Sequence, residues 1–188
     1  MSSTLDIINR ALAEVNAPRI SALDDESPYA DAVAPLWVPA RNYVLRAHPW
    51  PCCMARAKLN RDESTPLWEF AYAHVLPVDY AVLVEVYPQA TYSIESGLIL
   101  SDQEELSIKY VSTDSTLFDA SLEDAIVYEL ASRLAMPVTS KKSLADKLEI
   151  KAKDALNRAI HTSTREQTPK NIRAHRWKDA KLGRRRTG

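Results

Sequence analysis

Residues 121–164 carry two apolar stripes at helical spacing, and a chain that folds must bury both. Leu122, Ile126, Leu130 and Leu134 recur every four residues, with Ala125 and Ala131 beside them. Leu144, Leu148, Ala152, Ala155, Leu156 and Ala159 form the second stripe. Pro137 is expected to stop the first helix, which spans 121–135, because proline lacks the N–H that the next turn needs. Ser140 or Ser143 is expected to cap a second helix over 141–163. Neither helix can bury its stripe alone, so the pair predicts an antiparallel hairpin that other elements join.

The upstream chain supplies those elements. A helix is predicted over 4–15, with Ser3 or Thr4 as its cap and Leu5, Ile8, Leu12 and Val15 as its buried side. Ser27 followed by Pro28 is a strong helix start, because proline in the first turn gives up an N–H that has no partner there. The second helix covers 28–47. Pro35 and Pro39 lie inside it, each expected to cost about 3 kcal/mol, so a kink or break is expected there. Residues 52–60 read as extended and 61–66 as a polar loop. Trp68, Phe70, Tyr72 and His74 alternate with smaller or charged residues, the pattern of a strand with one aromatic face. Further strands follow at 81–87, 92–95, 98–100 and around Leu106, Ile108 and Tyr110, with Ser96-Gly97 as a two-residue hairpin turn. The fold class is therefore α+β: a bundle of about four helices with a small antiparallel sheet inserted at about 67–111.

With 46% hydrophobic residues in 188, the chain can bury a core and suits one domain plus an extension. Only three glycines are present, which argues against Gly-rich phosphate loops and propeller repeats. No apolar run approaches the roughly 20 residues that cross a bilayer, and no secretion signal is evident at the start. The adjacent pair Cys52-Cys53 predicts a reducing compartment, since neighbouring cysteines rarely form a structural bridge. The net charge of -1 hides an asymmetry. Residues 165–188 hold nine Lys and Arg against two acids, a net of +7, and the rest of the chain carries -8.

The chemistry-bearing residues each have a bland and a sharp reading. Cys52 and Cys53 lack metal-ligand spacing and are read as buried small residues. Asp24, Asp25 and Glu26 could be half of a cation site but are read as a solvated loop whose last acids favour the following helix N-terminus. His74 with Asp79, and Ser93 or Ser96 as nucleophile, would be a catalytic set, but no nucleophile-elbow glycines surround those serines. The aromatic run from Trp68 to His74 could stack bases, but basic residues do not interleave with it, so core packing is expected. No catalytic, cofactor or metal residues are assigned. The basic tail is the exception. Its Arg and Trp are residue types that dominate interface energies, and Trp177 is an anchor candidate beside Ile172 and Leu182.

Several motifs resemble one family when taken in order. ALAEVNAPRI (11–20), LDDESP (23–28) and PARNYVLRAHPW (39–50) are similar to the N-terminal half of phage tail tubular protein A, the head-to-tail adaptor of T7-like short-tailed phages. FAYAHVLPVDY (70–80), YSIESGLIL (92–100) and IKYV (108–111) resemble that family's middle. The resemblance covers about 5–164. It implies an adaptor domain over 1–164, with copies forming a homo-oligomeric ring, typically of twelve. That ring sits in the virion between the portal protein and the tail nozzle protein, after assembly in the host cytoplasm. DNA passes through it without a lasting contact, and no membrane is involved. It also implies that residues 165–188 are a docking tail that reaches the portal, through Arg173, Arg176, Trp177, Lys178, Lys181, Leu182, Arg184, Arg185 and Arg186. The rival expectations are a connector of a long-tailed phage that contacts a stopper or tail terminator, and a nucleic-acid-binding module that uses the basic tail.

Overall fold

The computed structural model describes residues 3–63 and 66–165. Within them the chain is an α+β fold of four helices and two three-stranded antiparallel sheets. Helix α1 (Thr4–Glu14) and helix α2 (Pro28–Ala47) come first. Six strands follow: β1 (Met54–Lys58), β2 (Tyr72–Val75), β3 (Tyr80–Tyr87), β4 (Tyr92–Glu95), β5 (Leu98–Ser101) and β6 (Ser107–Ser112). Helices α3 (Ala120–Thr139) and α4 (Lys142–Arg165) close the described chain.

Helix α3 is the centre. It packs against α1, α2 and α4, and Leu122, Ile126, Leu130 and Leu134 are fully buried. Burying side chains of this size stabilises by roughly 1.5–3 kcal/mol each. The helix starts on Asp119, whose carboxylate accepts from the Leu122 N–H at 2.8 Å. That satisfies one of the free donors of the first turn. Pro137 does not stop it. The helix runs to Thr139 and ends where Ser140 adopts φ 54°. Proline in the last turn removes one ladder bond only, and the Ser140 N–H still reaches the Met136 carbonyl at 3.0 Å. Ser140 thus ends α3 rather than capping α4, and Ser143 lies within α4.

Helix α2 also runs unbroken through Pro35 and Pro39. Both prolines are exposed, four residues apart, while Val33, Trp37, Ala40 and Val44 are buried on the opposite side. The carbonyls that lose their partners therefore face water, and the buried stripe holds the helix together. Helix α1 is capped reciprocally by Ser3 and Asp6. Arg10 ties α1 to α3 through Glu123 at 3.2 Å and through Asp124.

The strands form two sheets where the sequence suggested one. The first has the order β1-β6-β3 and the second β2-β5-β4. The first sheet is the middle layer. Val111, Ala81 and Met54 pack into the helical core, while Tyr110, Ile108 and Val86 pack in a second core with Ile99 of the second sheet. The hairpin at Ser96-Gly97 forms as expected, both residues having positive φ, 49° and 81°. The strand expected over 68–74 begins only at Tyr72, because Glu69 takes φ 70° and breaks the extended run.

Two half-buried polar clusters fasten neighbouring elements. Asp79 accepts from Tyr110 Oη at 2.9 Å and from Ser112 Oγ at 2.6 Å. Burial, then the Asp79 carboxylate, push the Tyr110 phenol up to about 12. His48 joins the end of α2 to α4 through Ser163 Oγ at 3.0 Å, with its ring edge-on to Trp50.

Leu130→Ala is expected to lower unfolding free energy by about 2–5 kcal/mol in denaturant titration, as full-burial leucine truncations do. His48 gives a pH test. Burial holds its imidazole below the ordinary 6.5, so the folded state binds fewer protons than the unfolded one. Its contribution is complete above about pH 6.5 and is lost as pH falls toward the depressed folded value. The loss of melting temperature from pH 7.5 to 5 is expected to be smaller in His48→Gln than in the parent chain.

Candidate interaction surfaces

The residues that sequence reasoning could cast as catalytic serve separate structural contacts. His74 is fully buried, and its Nε2 lies 2.9 Å from the Gln103 carbonyl, while Asp79 holds Tyr110 and Ser112. Ser93 donates to Glu95 at 2.8 Å. Ser96 forms the hairpin turn. Asp25 does not serve the following helix. Its Oδ2 accepts from the Ser21 and Ala22 N–H groups at 2.6 and 3.0 Å and closes its own loop. Ser27 caps α2 instead.

Cys52 and Cys53 lie in a 3-10 turn just before β1, with Sγ atoms 3.6 Å apart. The hydrogen bond between them lowers the Cys52 thiol below its ordinary value and raises that of Cys53, which is fully buried. Both are free thiols. Among the described residues no group of three or more His, Cys, Asp or Glu gathers as metal ligands, and no helix is long and apolar enough to cross a membrane. The nine tail residues from Arg173 to Arg186 lie outside the described residues.

Two surfaces stand out. The first is the apolar tip at residues 66–70. Leu67 is 89% exposed and Trp68 75%, while Phe70 beside them is buried against the second sheet. The expected core packing of the aromatic run thus holds for Phe70 and His74 and fails for Trp68. The turn at Glu69 rotates Trp68 outward. A cleft of about 270 Å³ lies beneath the tip, bordered by Glu69, Glu95 and Leu100. Nearby, the Arg61 guanidinium sits 4.4 Å from the centre of the Tyr72 ring. Residue spacing hides this partner, because Arg61 reaches β2 through an isolated bridge to His74.

The second surface is a concavity of about 480 Å³ on the first sheet. The face that carries Met54 and Val111 into the helical core continues past the helices. There Arg56 stands opposite Lys109, and Lys109 opposite Glu85. Lys58 and Tyr87 flank Ser107 in the next register pair. Like charges directly opposite across strands are unfavourable, so Arg56 against Lys109 departs from what sheet stability alone selects. Lys58 is held at 2.9 Å by Glu105. The sequence signal was Arg56 alternating with Lys58, but the partner Lys109 lies in a much later strand, so only pairing exposes the patch.

No protein-family model matches the chain, and no curated protein matches it.

Trp68→Ala is expected to leave unfolding free energy within about 0.5 kcal/mol of the parent, as exposed positions do. Phe70→Ala is expected to cost about 3 kcal/mol. Paired denaturation curves check both, and a stability loss at Trp68 matching that at Phe70 would contradict the exposed tip.

Proposed function

We propose that this protein is a non-enzymatic head-to-tail adaptor of a short-tailed phage. In this reading, copies form a ring, typically of twelve, between the portal protein and the tail nozzle protein. The basic segment 168–188 docks on the portal, and the genome passes through the ring's lumen. The protein resides in the virion, after assembly in the host cytoplasm.

The observation that carries the reading is order. A helix pair, a β insertion and a second helix pair follow one another, and the family-like motifs fall on them in sequence. ALAEVNAPRI ends α1, PARNYVLRAHPW covers the second half of α2 and the turn after it, and YSIESGLIL is the β4–β5 hairpin. Two further features support it. His74, Asp79 and Ser93 each take part in a separate structural contact, and the two surfaces described above are open to a partner. A ring needs two unlike faces on each copy, repeated until rotation closes it. A body of net -8 with a tail of net +7 suits steering onto an acidic docking groove.

Native mass measurement tests the reading. The full chain is expected to load stoichiometrically onto its cognate portal ring, and the chain lacking residues 168–188 to fail. Equal failure by both forms, with salt-sensitive DNA binding that disappears on truncation, would instead establish the nucleic-acid module.

A further inference from the structure

The geometry points to the concavity on the first sheet as the receptor for the 19–26 loop of a second copy of this chain. The receptor side is the concavity lined by Arg56, Lys58, Lys109, Tyr87 and Ser107 around Glu85. The lysine and arginine stems and the Tyr87 ring supply apolar surface, and the Arg56 and Lys109 heads form a cationic rim beside Lys58, which Glu105 holds. Tyr87 is 76% exposed, so its ring is free to cover a docked side chain. Arg56 and Lys109 stand opposed, Glu85 across from Lys109 offsets part of that repulsion, and an added anionic partner relieves the rest.

The loop offers the complement. Leu23 is 38% exposed between the α1 and α2 ends, followed by exposed Asp24 and Glu26. Asp25 turns inward and pins the loop on the Ser21 and Ala22 N–H groups. Residues 23–26 of the loop, beyond exposed Arg19 at its start, therefore present an apolar side chain with two outward carboxylates on a fixed backbone. Such pre-organisation lowers the ordering cost of binding. Leu23 fits the apolar lining, and Asp24 and Glu26 meet Arg56 and Lys109. Loop and concavity are different surfaces of one copy, so the contact is heterologous and propagates from copy to copy. The inference rests on the ring reading above only in supposing that copies meet side by side.

A photo-crosslinking residue placed at position 87 of the full chain tests it without the portal. The expected result is a crosslinked dimer whose joined peptides map to position 87 of one copy and residues 19–28 of the other. Charge exchange adds a second arm. Arg56→Glu with Lys109→Glu is expected to lower dimer yield at least about tenfold, a loss typical of broken charged interface pairs. Mixing that chain with one carrying Asp24→Lys and Glu26→Lys is expected to restore it. A cooperative melting transition well above the assay temperature in both variants confirms that folding is intact. Crosslinks to another segment, crosslinks only to added DNA, no crosslink, or no rescue on mixing would each overturn the inference. A portal-loading failure alone would leave this contact standing and count against the adaptor role instead.

Discussion

Helix α3 cannot exist without its neighbours, and the rest of the molecule follows from that. Ala125, Ile126 and Val127 are consecutive and all buried, as are Leu130, Ala131, Leu134 and Ala135. Consecutive burial exceeds one stripe, so this helix is covered on more than one side. Helices α1, α2 and α4 each take part of the cover. The β-structure is then an insertion between α2 and α3 that must return the chain to the bundle. It does so through the first sheet, whose Val111 and Ala81 join the helical core. The second sheet has no such anchor and rests on the first through Ile99, Ile108 and Tyr110.

This layering decides which parts of the molecule are left for function. Close to the helices, the first sheet spends one face on the bundle and the other on the second sheet. Farther out, the helices no longer cover it, and Arg56, Lys109, Lys58 and Tyr87 face the open. The apolar tip with Trp68 lies at the second sheet, beyond the reach of the helical core. Both surfaces break ordinary rules for stable folds, one by opposing like charges and the other by exposing a large aromatic ring. Local departures of that kind collect where a protein meets something else.

Half-buried polar groups serve cohesion. Asp79 fastens the β2–β3 turn to β6 through Tyr110 and Ser112, and His48 fastens α2 to the far end of α4. Each polar atom so paired avoids the cost of an unmade hydrogen bond away from water. This explains why polar residues that look chemically promising in isolation, such as His74 and Asp79, lie in separate hydrogen-bond systems.

The sequence alone determined the element order, both helix pairs, the β4–β5 hairpin and most of the buried stripe. These are local matters: a 3.6-residue period, a capping serine before a proline, a glycine at positive φ. It misjudged Pro137, and of the kink or break expected at Pro35 and Pro39 the break does not occur, because the cost of a proline depends on which side of a helix faces water and how near the helix end lies. It placed Trp68 in the core because alternation continues through the segment, and only the left-handed turn at Glu69 reveals the break. Tertiary structure alone decided the split into two sheets, the Arg61–Tyr72 contact and the Arg56–Lys109 pairing. Those depend on which distant strands become neighbours. Long-range pairing is set by burial of whole faces against one another, and no local window of residues contains that information.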